Sequence, residues 1–186
     1  MNKQHFFSAL ALTVAGFIFN GCCNDPAIVK IPASDGSAPI LHWEVTVLTQ
    51  TPAGPISSLT QHANPTNNIT VRTTDEVGVY LVATDNESGV KKIGTQGGFS
   101  YTCTSPGPGG VLNAAIIDGF LPKQEVIFSD LTTCGLKQWK IKRECLNVSF
   151  SCNSGTISNR SAGMTGTAEN FKGEGGSINL TIEIVD

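Results

Sequence analysis

The sequence predicts an all-β domain built as an antiparallel β-sandwich. Three observations carry this. Apolar residues recur with a period of two along several runs, the repeat of a strand with one face buried. Turn-forming residues separate those runs, and they are the residues that reverse a chain between strands. No amphipathic helical pattern extends beyond about two turns, the one candidate being the short stretch Val111 to Ile117.

The first 21 residues stand apart from that domain. Met1 to His5 is polar and carries Lys3, and Phe6 to Phe19 is a mostly apolar run of 14 residues. A membrane-spanning helix needs about 20 apolar residues. A short charged start followed by a shorter apolar run is the pattern of a secretory signal peptide. The sequence Phe19-Asn20-Gly21-Cys22 resembles the lipobox of bacterial lipoproteins, with Phe19 and Asn20 standing where that family more often has Leu and a small residue. The resemblance implies cleavage before Cys22 and acyl chains on its thiol and new amino terminus. Each buried methylene contributes about 0.8 kcal/mol, so two or three chains anchor a protein durably. Cys23 rather than Asp follows, which by the same resemblance implies the outer membrane of a bacterial envelope, on its periplasmic or surface face.

Residues 22 to 36, with two Pro, a Gly and little apolar pattern, are expected to form a flexible tether. Residues 37 to 186 form the domain. Trp43, Val45 and Val47 alternate with Glu44 and Thr46. Val77, Val79, Leu81 and Ala83 alternate within a run also apolar at Tyr80 and Val82, as a central strand requires. Ile178, Leu180, Ile182 and Ile184 give the cleanest alternation in the chain. Pro52 to Pro55, Asn64-Pro65, Asn86 to Gly89, Gly97-Gly98 and Gly173 to Gly176 are expected turns.

Two stretches and a short entry carry a second resemblance. Val79 to Ile93, containing Asp85-Asn-Glu-Ser-Gly-Val90, looks like the strand, turn and strand of bacterial immunoglobulin-like domains. Thr165 to Gly173 followed by Ser177 to Val185 is similar to their last hairpin, and Asp35-Gly-Ser-Ala-Pro39 to their entry. The resemblance implies an immunoglobulin-like antiparallel β-sandwich serving as a surface binding or spacer module. Residues 104 to 160 depart from it as a long inserted middle region, and no Cys has the immunoglobulin spacing around a strand Trp.

Six Cys are present. With Cys22 assigned to lipid and Cys23 beside it, Cys103, Cys134, Cys145 and Cys152 remain, and four Cys allow three connectivities. Strand parity puts Cys103 on the face of Phe99 and Tyr101, and Cys152 on that of Phe150. This favours Cys103 with Cys152 and Cys134 with Cys145, the other two connectivities remaining open. No Cys pair has zinc-finger spacing, and no metal is expected.

The other constellations are weak. Asp85 to Gly89 offers clustered oxygens, but lacks the far acidic residue and helices of an EF-hand. A turn in which Asp85 accepts from the backbone ahead and Gly89 takes positive φ is the simpler reading. His42 and Glu44 share a strand face without a third ligand. In Lys137 to Arg143, Trp139 and Ile141 alternate with Lys140 and Lys142, as in a strand with a solvated face. The formal charge is −3, which argues against a nucleic-acid partner. No nucleotide-binding or hydrolase motif occurs, so no cofactor and no catalytic residue is expected. The sequence therefore points to a non-catalytic envelope module that engages a protein or glycan. The alternatives are an inhibitor or exclusion lipoprotein acting by a loop inserted from 104 to 135, and an envelope hydrolase.

Overall fold

The computed structural model describes residues 26–128, 134–143 and 150–186. Its strands are β1 (Ile28–Lys30), β2 (Ile40–Thr51), β3 (Gly54–His62), β4 (Thr66–Arg72), β5 (Glu76–Thr84), β6 (Val90–Pro106), β7 (Leu112–Ile127), β8 (Cys134–Leu136), β9 (Gln138–Arg143), β10 (Thr156–Asn170) and β11 (Gly175–Val185). Among the described residues the only helical piece is a 3₁₀ turn at Pro108–Gly110.

Two sheets pack face to face, so the domain is an all-β sandwich. The larger runs β1-β8-β6-β10-β11-β4, with β7 also paired to β6; the smaller runs β3-β2-β5-β9. The alternating runs supply the inner faces. Trp43 and Val45 on β2, Leu81 on β5, and Ile178, Leu180 and Ile182 on β11 are all at most 2% exposed. β5 lies between β2 and β9; its inner Val79, Leu81 and Ala83 meet the core, and its outward Val82, flanked by His42 and Lys140, is also only 1% exposed. Gly166 on β10 makes room for this core. A Cβ there would lie 2.6 Å from Leu81 Cδ1 and 3.0 Å from Trp43 Cζ2.

Several expected features take a different form. The sandwich is not wholly antiparallel, because β11 and β4 pair in parallel. After β3 the chain crosses to the other sheet to form β4 and then returns for β5; a strand reached by such a crossover is free to run either way, unlike a hairpin partner. Val111 to Ile117 is not helical: Leu112 onwards is strand β7, in register with β6. The β-branched pair Ile116-Ile117 suits that conformation. Gly97-Gly98 is not a turn but lies in the middle of β6. A Cβ on Gly97 would sit 2.3 Å from the Gly163 carbonyl oxygen, and one on Gly98 2.8 Å from that of Gly119. These glycines mark close backbone approach between three strands beside a bulge at Thr95/Gly97.

The tether expected over 22 to 36 is, in its described part, fastened to the domain. Ile28–Lys30 pairs with Cys134–Leu136. Asn170 Nδ2 donates to Asp35 Oδ2 at 3.1 Å and to the Ser37 carbonyl at 2.8 Å. Two β-branched residues suffice for a short edge strand once β8 presents unpaired backbone groups. The middle region also divides. Its first part forms a long hairpin with β6, while Gln138–Arg143 returns as β9 to complete the smaller sheet.

Candidate functional site

The outer parts of β6 and β7, from Gly97 to Pro106 and from Leu112 to Leu121, form an arm that ends in the Pro108–Gly110 turn. Ten residues of strand span roughly 30 Å. Residues 109 to 116 are exposed on both faces of the sheet, so this part of the arm stands clear of the core.

Three devices stiffen it. The first strand half of β10 pairs along β6, with Ile157 opposite Cys103 and Ala162 opposite Phe99. A disulfide joins Cys103 to Cys152 with a Cα–Cα distance of 5.6 Å. Phe150 packs edge-on against Phe99 and Tyr101, with ring centroids at 6.0 and 5.2 Å. The Tyr101 hydroxyl donates to the Ser151 carbonyl at 2.8 Å. Phe99, Tyr101 and Cys103 share a face by strand parity, and that face is covered by Phe150 to Cys152. The Phe99 ring lies over Gly119, where a Cβ would be 2.1 Å from its Cζ.

The opposite face of β7 carries the feature that sequence reading missed. Leu112, Ile116 and Phe120 are 69%, 73% and 95% exposed, and with Ala114 and Asp118 they form one row. Phe120 stands opposite Gly98 on β6, and Gly163 on β10 leaves open space beside it, so among the described residues no neighbouring side chain covers the ring. Six of the ten large apolar side chains exposed among the described residues lie between Val111 and Ile127. The run Leu112 to Phe120 has no strict alternation, which hid both the strand and its face. The β-branched pair followed by Gly119 was the available signal.

At the base of the arm, Arg143 on β9 is 2% exposed. Its Nη1 donates to Thr95 Oγ1 at 3.1 Å, the Pro122 carbonyl at 2.5 Å and Gln124 Oε1 at 3.4 Å. It ties the smaller sheet to the bulge between β6 and β7. The alternation of Lys137 to Arg143 puts Arg143 on the side of Trp139 and Ile141, so its inward position was latent in the sequence.

The remaining sequence candidates fall as follows. Cys22 and Cys145 lie outside the described residues; Cys134 opens β8, and its expected pairing with Cys145 lies outside them too. Asp85 is a buried turn residue. Its Oδ1 accepts from the backbone amides of Glu87, Ser88 and Gly89 at 2.8 to 3.1 Å, and Gly89 has φ +81°. His42 and Glu44 face outward together, 3.6 Å apart, and Lys140 on β9 pairs with Glu44 while its Nζ lies 4.3 Å from the centre of the Tyr80 ring. Lys140, then His42, holds the Glu44 carboxyl below its ordinary value. This is a partly covered outer face laced by cross-strand contacts. Trp139 turns the other way and packs edge-on to Phe128 at 4.3 Å.

A hollow of about 550 Å³ is lined by the first residues of β10 and the last residues of β11. Arg160 and Asp186 close an ion pair there at 2.5 Å. Among the described residues no group of three or more His, Cys, Asp or Glu is placed to hold a metal ion. Comparison of the chain with protein-family models, with curated proteins and with solved structures found no match.

Proposed function

We propose that this protein is a non-catalytic binding module of the bacterial cell envelope, lipid-anchored through Cys22, that presents the edge of β7 to a protein partner. The observation that carries this is the uncovered apolar row Leu112, Ile116 and Phe120 on a stiffened arm. An exposed edge strand offers unpaired backbone groups to a further strand. Fully burying a Phe or Leu side chain contributes about 1.5–3 kcal/mol, so a docked partner gains from both backbone and side chains. The immunoglobulin-like character of the sandwich belongs to the same reading and rests on the resemblance of Val79 to Ile93 and of the last hairpin.

The test is photo-crosslinking in intact cells from a benzophenone side chain at Ile116, with Leu59 on β3 as the exposed control. Capture of a defined protein from Ile116 and not from Leu59 supports the reading. Equal or absent capture at both sites refutes it. A second reading, an inhibitor that inserts its arm into a cleft, is favoured by the stapled hairpin and its exposed 108–110 tip. Deleting the tip would abolish inhibition and leave β7 capture intact.

A further inference from the structure

We infer that the occupant of the β7 edge is a second copy of this chain, joined strand to strand over Leu112–Phe120 in antiparallel register about a two-fold axis at Ile116. This rests on the reading of that edge as a binding surface and names its partner.

Native proteins guard open edges by shortness, Lys, Pro or bulges. β1 is three residues long. β9 carries Lys140 and Lys142. β4 is mostly polar and ends on Arg72. β3 contains Pro55, and its exposed Ile56 and Leu59 lie on opposite faces. β7 is guarded only in its second half, by Pro122, Lys123 and the bulge opposite Thr95/Gly97. From Leu112 to Phe120 it has no Pro, no Lys and one charge, Asp118.

That unguarded stretch complements itself. With Ile116 opposite its own copy, Leu112 meets Phe120 and Phe120 meets Leu112, all on the exposed face. Asp118 falls opposite Ala114, so the single charge never meets its mate. On the other face Asn113 meets Gly119 and Ala115 meets Ile117. Aromatic and aliphatic cross-strand pairs of this kind stabilise a ladder, whereas like charges directly opposite oppose it. A two-fold interface requires this reciprocity, residue i meeting j and j meeting i. The pairing would end as Pro122, which lacks an amide hydrogen, is reached. A stable interface usually takes about 20–30 residues from each side. Nine are available here, so the dimer is expected to be weak and to depend on local concentration.

The register gives a direct test on the full-length chain. Residues opposite each other across an antiparallel pair have Cα atoms about 4.5–5.5 Å apart, within disulfide range. Ile116→Cys is therefore expected to give an oxidised homodimer above the wild-type background. Two copies of Ala114→Cys stand four residues out of register, about 13 Å apart, and are expected to give none; co-expressed Ala114→Cys and Asp118→Cys chains are expected to crosslink to each other. Adding Phe120→Asp, at a side chain 95% exposed and therefore not needed for folding, is expected to lower the Ile116→Cys dimer at least tenfold. No Ile116→Cys dimer, equal crosslinking from Ala114→Cys alone, or indifference to Phe120→Asp overturns the inference. Capture of a different protein from Ile116 in the photo-crosslinking experiment, with no Ile116→Cys dimer, overturns self-pairing and leaves the binding surface standing. Failure of both removes both.

Discussion

The Cys103–Cys152 disulfide closes a sequence separation of 49 residues. Replacing both cysteines with Ala removes that constraint without leaving a lone thiol. The chain-entropy relation for a loop of this size gives a loss of about 4 kcal/mol at 25 °C. In a domain of 150–250 residues each kcal/mol moves Tm by about 2–4 °C, so Tm is expected to fall by roughly 8–16 °C. The loss also has an address. Cys103 lies midway along the arm, and Cys152 holds Phe150 and Ser151 over Phe99 and Tyr101. Amide exchange is therefore expected to speed first in residues 98 to 106 and 112 to 119. β2, β5 and β11, whose inner side chains form the core, are expected to keep their protection relative to global unfolding. Calorimetry gives Tm, and exchange read by mass spectrometry locates the change. A Tm shift below about 3 °C, or uniform acceleration across arm and core, would refute the view of this bond as the staple of the arm.

Three further outcomes are expected. Gly166→Ala places a Cβ 2.6 Å from Leu81 Cδ1 in a closed core; overpacking of this kind costs about 1–3 kcal/mol, measurable as a lower urea midpoint at unchanged slope. Asp85→Ala leaves the amides of Glu87, Ser88 and Gly89 without their common acceptor. A loss of about 2–4 kcal/mol is expected, since each buried unsatisfied group costs about 1–3 kcal/mol and a turn can relax towards water; a loss below 0.5 kcal/mol in denaturant titration would show the turn to be held otherwise. Glu44, held by Lys140 and His42 below its ordinary value of 4.5, contributes stability that is present above that pH and is lost as pH falls through the lower folded-state value. Lys140 is 45% exposed, so solvent screening keeps this below about 1 kcal/mol. Glu44→Gln is expected to lower Tm slightly at pH 7, where the contribution is fully present, and to flatten the decline of Tm with pH below 4.5 so that the two proteins converge in acid.

The immediate sequence neighbourhood determined much of this protein. Where one face of a strand meets the core, burial selects every second residue, and β2, β5 and β11 could be read from Trp43, Leu81 and Ile178 onwards. The same parity placed Cys103 with Phe99 and Tyr101 and so favoured Cys152 as its partner, with the pairing itself decided by the structure. The Asp85 turn was legible because a side-chain oxygen capping its own backbone is a local event. What the sequence could not determine depends on distant neighbours. Gly97 and Gly98 read as a turn until Gly163 and Gly119 are brought against them, because a glycine needed for close strand approach looks like one needed for a bend. Ile28 to Lys30 read as tether because a three-residue strand exists only through its partner. The row Leu112, Ile116 and Phe120 lies in a stretch apolar on both sides of the strand. Only the tertiary structure decides which side is covered, by Phe150 and the disulfide, and which is left open at an edge.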